Sequence, residues 1–212
     1  MPDRQQLIKR AIILSWFTIA YNLLEGAVSI WFGLSEGSMA LAGFGADSFI
    51  EVFSASLVLW RFRTESAGAC VPAERERRAT LGIGALFVAL AAVTAAGAFL
   101  QLREGRRPDT TVPGLAISAF SLGFMFFLWR AKTRLATALD SATVLKDAAC
   151  SLACIKLSSI LFLGSLVFLA APALWWSDAA AAALLAGLIG LEGAQTIRAA
   201  LRPDFAGGCG CA

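Results

Sequence analysis

Histidine is absent from this 212-residue sequence, and charged residues make up only 16% of it. A soluble domain usually carries about 25% charged residues, so the composition argues against one. Without histidine, the commonest metal ligand and the usual proton shuttle near neutral pH are both missing. Any metal or proton chemistry must therefore use carboxylates and thiols. The net charge of +3 is small for a nucleic-acid-binding protein, and we exclude that class.

Apolar residues, in contrast, make up 58% of the chain. Long apolar runs recur between short polar segments, at about 11–32, 38–60, 80–100, 112–129, 141–170 and 174–197. Each run supplies the roughly 20 residues that a transmembrane helix needs. Backbone polar groups must be paired inside lipid, which favours helices. We predict an all-α integral membrane protein with six transmembrane helices at 1–200, followed by a short cytoplasmic Gly/Cys tail at 201–212.

Lysine and arginine predict the orientation, because they concentrate in cytoplasmic segments. They lie before the first run and after the second, fourth and sixth. These residues are Arg4, Lys9, Arg10, Arg61, Arg63, Arg75, Arg77, Arg78, Arg130, Lys132, Arg134, Arg198 and Arg202. We therefore expect both termini in the cytoplasm, although Arg103, Arg106 and Arg107 fall on the outer side. With no targeting signal visible, a plasma membrane or bacterial inner membrane is favoured.

Two acidic residues lie within the second apolar run. Asp47 and Glu51 are four residues apart, so they share one face of a helix. Like charges at this spacing repel each other. In a membrane interior, a proton or a bound cation would relieve that repulsion. The pair therefore indicates a cation or proton site, and the alternative is a structural hydrogen-bond cluster that is never fully ionised.

The fifth run carries a similarly spaced pair of thiols, Cys150 and Cys154. Thiolates are soft ligands for zinc, cadmium, mercury or cuprous copper. Alternatively, the two cysteines pack between helices as small apolar residues, which is common for free cysteine. Asp147, one turn before Cys150, favours the metal interpretation. Helices two and five together would offer two carboxylates and two thiols, which is the ligand count that zinc prefers.

Other polar residues give weaker signals. Asn22 and Glu25 in the first run, and Asp147 in the fifth, are candidate supporting or pathway residues, although Glu25 would also suit a structural pair with Lys156. Cys209 and Cys211 in the tail are candidates for capturing soft metals, or are incidental residues of a mobile tail.

Three features of the last run concern its ends and its packing. We expect Asp178 to cap the outer end of the sixth helix, and Glu192 to reach the interface at its other end. Ala183 and Gly187 form a pair of small residues that would allow close helix packing. That packing would serve either a homodimer through the membrane helices or contacts within one subunit.

The two paired motifs resemble those of a known family. Residues 38–51, SMALAGFGADSFIE, resemble the second helix of the cation diffusion facilitator (cation efflux) family, in which Gly-Ser and small residues precede a His/Asp-x-x-x-Asp pair. Residues 147–154, DAACSLAC, resemble its fifth helix, and Asn22 and Glu25 resemble polar positions of its first. The chain is similar to a compact branch that lacks the family's C-terminal cytoplasmic domain.

The resemblance implies a six-helix bundle with a metal site at Asp47, Glu51, Cys150 and Cys154. The sequence departs from the family pattern at three of these positions, where Glu51 replaces Asp and the cysteines replace His and Asp. Mixed oxygen and sulfur donors favour zinc, with cadmium or another soft metal as the alternative.

The implied function is a secondary transporter, not an enzyme, that exports a divalent transition metal in exchange for protons and needs no resident cofactor. One alternative is a metal channel or sensor without proton coupling. A second is a membrane thiol oxidoreductase that uses Cys150 and Cys154. Two cysteines four residues apart on a helix make poor disulfide geometry, which counts against this second alternative.

Overall fold

The computed structural model describes residues 4–66, 73–106, 112–139, 142–171 and 173–202. The helices in this part of the chain are α1 (Arg4–Ser35), α2 (Met39–Ser66), α3 (Ala73–Glu104), α4 (Val112–Leu139), α5 (Ala142–Ala170) and α6 (Ser177–Leu201). All six are long and apolar enough to cross a membrane. The predicted all-α membrane protein with six transmembrane helices is confirmed. Because six crossings are an even number, the start of α1 and the end of α6 lie on the same side.

The helices extend beyond the apolar runs, since polar residues at their ends continue the helical backbone. The fourth run ends at Trp129, whereas α4 continues to Leu139. Arg61 and Lys132 therefore lie within α2 and α4, where their exposed fractions are only 3% and 1%. Our assignment of these two residues, and of Arg63, Arg130 and Arg134, to loops was wrong, because α2 continues to Ser66 and α4 to Leu139. In Arg61 and Lys132 the helical turn also directs the side chain into the protein. The remaining basic residues still support the predicted orientation.

Helix α2 is the central helix of the bundle. Of its membrane-spanning window, 61% is buried, against 22–33% for the other five helices. It packs against α1, α3, α5 and α6, while α3 pairs with α6 and α4 pairs with α5. Side chains on most faces of α2 therefore contact protein rather than lipid. This placement explains how the helix can carry acidic residues inside a membrane protein.

Close contact between α1 and α2 depends on Gly45. A Cβ atom at this position would lie 2.7 Å from the Cβ atom of Ser29 and 2.9 Å from the backbone nitrogen of Ile30. Both distances are shorter than van der Waals contact, so no other residue fits without moving the helices apart. Small residues allow such close approach of membrane helices. The contact at Gly45 therefore sets how closely α2 packs against α1.

Asp178 connects three helices at the predicted outer end of the bundle. Its Oδ1 accepts a hydrogen bond of 2.5 Å from Ser38 Oγ, and its Oδ2 accepts bonds from Met39 N at 3.1 Å and Gln101 Nε2 at 3.2 Å. The carboxylate thus caps the start of α2, and the prediction that it caps α6 was wrong. Helix α6 begins without a side-chain cap. We call these four residues the outer clasp.

The predicted pair of small residues on α6, Ala183 and Gly187, does not serve packing within the subunit. Ala183 and Gly187 are exposed, and a Cβ atom added at Gly187 would meet nothing within 4 Å. Of the two interpretations offered for this pair, packing inside one chain is therefore not supported. The homodimer through the membrane helices stays a prediction.

The outer clasp predicts a large effect of Asp178→Ala on stability. Three donors from two other helices would lose a buried charged acceptor, and we expect unfolding free energy to fall by about 3 kcal/mol. The measurement is thermal unfolding of the purified protein in detergent. Glu104→Ala is the matched control, because Glu104 pairs with Arg106 at an exposed position and such pairs contribute little. Equal melting temperatures for the two variants would contradict the structural role of the clasp.

Candidate metal site

The predicted ligands on α2 and α5 face the interior of the bundle. The exposed fractions of Asp47 and Glu51 are 5% and 4%, and that of Cys154 is 1%. Cys150 is half-buried, and both cysteines are free. The spacing of four residues therefore places each pair on an inward face, as predicted from helical periodicity.

Two carboxylate oxygens in this region are buried without compensation. Asp47 Oδ1 and Glu51 Oε2 have no hydrogen-bond partner among the described residues. Burying a polar atom without a partner is unfavourable, and native structures mostly avoid it. Such atoms commonly mark a position where an ion or a water molecule completes the structure. Both oxygens are therefore available to a cation.

A lysine from α4 reaches the same region. Lys132 Nζ lies 3.0 Å from Asp147 Oδ2 and 3.6 Å from Glu51 Oε1. It also donates a hydrogen bond of 2.9 Å to Ser151 Oγ, which in turn donates one of 2.6 Å to Glu51 Oε1. Lys132 was not predicted as a site residue, because it lies among basic residues that follow an apolar run. Only the continuation of α4 to Leu139 places it within a helix.

The cysteines occupy different surroundings within this region. Cys154 lies beside the carboxylate of Glu51. The thiol of Cys150 accepts a hydrogen bond of 3.6 Å from Ser54 Oγ, which also lies 3.4 Å from Asp147 Oδ1. Within the described ranges, no three Cys, Asp or Glu side chains form a ready-made metal cluster. The four predicted ligands thus line one region between α2 and α5 without forming a closed coordination shell in this conformation.

The polar residues of α1 form a separate hydrogen-bonded group. Glu25 accepts bonds from Tyr21 Oη at 2.6 Å and from Ser48 Oγ at 3.1 Å. Asn22 donates to the Thr18 carbonyl at 3.0 Å, and its own Oδ1 has no partner in the described part of the chain. The bond to Ser48 connects this group to α2, one residue after Asp47.

Lys156 does not pair with Glu25. Its Nζ lies 3.9 Å from Glu192 Oε1 on α6, so the alternative of a structural Glu25–Lys156 pair was wrong. Successive turns of α5 direct Lys156 towards α6, whereas Glu25 on α1 lies against α2 and α4. Glu192 thus has an ion-pair partner, the half-exposed Lys156, which the expectation of an interfacial helix-end residue did not include.

Two cavities adjoin the candidate ligands. The larger has a volume of about 190 Å³ and is lined by Ser54, Asp147, Cys150 and Glu192, among others, in the half of the bundle nearer the end of α6. A narrow cleft of about 10 Å³ contacts Asp47, with Lys156 and Glu192 also in its wall. Glu192 lines both. The structure therefore brings Asp147, Cys150 and Asp47 to neighbouring cavities that share one acidic residue.

The remaining predicted candidates cannot be located. Cys209 and Cys211, proposed for metal capture, lie outside the described residues.

Comparison with known proteins identifies the membrane domain. Residues 15–202 match the family profile described as the cation efflux transmembrane domain. The chain is also similar to transmembrane protein 163 of Xenopus laevis, with 30% identity over 86 residues, or 41% of this chain. The matched segment spans only 30% of the length of that relative.

The cavity predicts different accessibilities for the two thiols. In variants that retain a single cysteine, a water-soluble maleimide should modify Cys150 at least about tenfold faster than Cys154, because only Cys150 lines the cavity. The rates are measured by mass spectrometry on folded protein in detergent. Cys70, Cys209 and Cys211 are replaced in both variants, so the two proteins differ only in whether Cys150 or Cys154 remains, and each is the control for the other. Faster modification of Cys154 would contradict the described packing.

Proposed function

Because the chain belongs to the cation efflux family of membrane cation transporters, we propose that it exports a divalent transition metal in exchange for protons. Members of this family are transporters rather than enzymes. Asp47 and Glu51 on α2, with Cys150 and Cys154 on α5, are the proposed metal ligands.

One observation carries this assignment. Asp47 Oδ1 and Glu51 Oε2 are buried acceptors without a hydrogen-bond partner in the described structure, one helical turn apart. A bound cation would satisfy both oxygens, and Cys154 beside Glu51 adds a sulfur donor. Movement of α2 against α5 on metal binding would have to close the shell, since the described residues do not form one.

The donor set supports zinc or cadmium as the substrate. Carboxylate oxygens alone suit magnesium, calcium or manganese, whereas thiolates select softer metals. Zinc accepts oxygen and sulfur ligands in four-coordinate sites. With no histidine in the chain, the thiols of Cys150 and Cys154 are the soft side-chain donors that the described residues place near the carboxylates. We therefore favour zinc, with cadmium as the alternative.

The two ends of the bundle support alternating access. The cavity beside Asp147 and Cys150 lies towards the predicted cytoplasmic side, whereas the outer clasp connects α2, α3 and α6 at the opposite end. This arrangement suits a state that receives metal from the cytoplasm. Rocking of helices around a fixed midplane site would then open the outer end.

Proton exchange follows from the chemistry of the ligands. Carboxylates and thiols bind a metal in their deprotonated form, so metal binding releases protons and protons compete with the metal. A proton gradient directed into the cell would therefore favour metal release on the outer side. A channel with the same site would not show this dependence.

Asp47→Asn should reduce zinc flux into proteoliposomes by more than about tenfold, because it removes a charged ligand and even supporting partners of metal sites contribute that much. Flux of the wild type should follow an imposed pH gradient. Glu104→Gln, at an exposed carboxylate, is the matched control and should transport normally. Unchanged flux in Asp47→Asn would refute the site, and flux indifferent to the gradient would favour a channel.

The thiols should control the choice of metal. Cys150→Ser and Cys154→Ser replace a soft sulfur with a hard oxygen, so cadmium transport should fall relative to zinc by about tenfold. The measurement is competition between the two metals in the same vesicles. Cys70→Ser makes the same substitution at a cysteine to which we assign no role, and it is the matched control. An unaltered cadmium-to-zinc ratio in all three variants would remove the cysteines from the site.

A further inference from the structure

Lys132 is the only described lysine whose side chain is enclosed within the bundle. It comes from α4, a helix that contributes none of the proposed ligands, and its exposed fraction is 1%. Its ammonium group contacts a carboxylate on α2 and another on α5, at 3.6 Å from Glu51 Oε1 and 3.0 Å from Asp147 Oδ2. Three helices therefore converge on one positive charge.

The ammonium group of Lys132 lies against a carboxylate that a bound metal would need as a ligand. Glu51 is one of the proposed ligands, and its Oε1 is held by Lys132 directly and through Ser151 Oγ. Only Oε2 is left without a partner in the described structure. A divalent ion on Glu51 would lie within a few ångströms of the ammonium group. Two such charges repel strongly in a partly dehydrated interior.

We propose that Lys132 is an internal cation that competes with the transported metal for Glu51 and Asp147. When no metal is bound, the ammonium group compensates the two carboxylates. When the metal binds, Lys132 moves away from them. This role rests on the proposed function, since it assumes that the metal binds at Glu51.

The side-chain chemistry of lysine suits such a role. Its ammonium is a compact charge on a flexible four-carbon stem, and it forms no bidentate fork with a carboxylate. The ammonium group can therefore leave Glu51 and Asp147 without breaking the two parallel hydrogen bonds that an arginine would form with a carboxylate. Hydrogen bonding to Ser151, which lies on α5 beside both partners, holds it there in the absence of metal.

Competition of this kind would weaken metal binding and assist release. A buried pair of carboxylates without a counter-ion would hold a divalent metal tightly, and tight binding slows the transport cycle. An internal cation lowers affinity on both sides of the membrane. It also keeps the buried charge compensated while the carrier without metal returns.

The test is zinc binding to the purified full chain in detergent, measured by competition with a fluorescent zinc chelator. Lys132→Gln keeps hydrogen-bonding capacity but removes the charge, and its Kd for zinc should be lower than that of the wild type by about tenfold or more. Lys132→Arg retains the charge and should bind zinc as weakly as the wild type. Arg130→Gln, which removes one exposed charge two residues away on α4, is the matched control and should leave Kd unchanged.

The outcomes separate this inference from the proposed function. Saturable zinc binding by the wild type with an equal or higher Kd in Lys132→Gln would overturn the competition and leave the transporter intact. Loss of zinc binding in both proteins would overturn the proposed site itself. A lower Kd in Lys132→Gln together with slower zinc flux would support both.

A second measurement uses the wild type, in case the neutral variant does not fold. Lysines are modified with a small amine-reactive reagent, with and without zinc, and each site is quantified by mass spectrometry. Zinc should raise the modification rate of Lys132, because the ammonium group leaves its carboxylates. Lys156, half exposed and paired with Glu192, should change little. A zinc-independent rate at Lys132 would overturn the displacement.

Discussion

The cost of placing charge inside a membrane protein is the constraint on which this structure depends. A charge at the bilayer centre costs about 2.5–3.5 kcal/mol on insertion scales. Glu51, Asp147 and Lys132 are nonetheless all nearly fully buried, because the ammonium group lies between the two carboxylates. Removing one member of such a group is strongly destabilising. Charge compensation therefore also determines how α2, α4 and α5 pack.

The central position of α2 follows from the same constraint. It is the helix with the most buried membrane window, and it carries both acidic residues of the candidate site. Its start is held by the outer clasp through Asp178, and less than two turns further along it is held against α1 at Gly45. The cavity beside Asp147 leaves the other half less tightly enclosed. A helix fixed at one end and adjoining a cavity at the other is suited to a change in access.

The sequence was sufficient to predict the six helices, because the length of each apolar run specifies a membrane span. It was also sufficient to predict that Asp47 and Glu51, and Cys150 and Cys154, share a helix face, because a spacing of four residues specifies one face. It was not sufficient for Lys132, since a charge count treats any lysine after an apolar run as a loop residue. Asp178 accepts bonds from Ser38 and Met39, far away in the chain, so its role depends on the three-dimensional arrangement. The pairing of Lys156 with Glu192 likewise depends on which helices become neighbours. The periodicity of a sequence indicates which face of a helix a residue occupies, whereas the packing of the helices determines which residues that face contacts.

The two proposed acidic ligands of α2, Asp47 and Glu51, differ in a way that assigns them different parts in the proposed cycle. Glu51 is compensated by Lys132 and Ser151, whereas Asp47 forms no ion pair among the described residues and keeps a buried oxygen without a partner. An incoming metal must displace an ammonium group at Glu51, but at Asp47 it meets an uncompensated acceptor. Asp47 therefore supplies attraction for the cation, and Glu51 with Lys132 limits how tightly it is held. A carrier needs both properties, since a substrate that binds without opposition is released slowly.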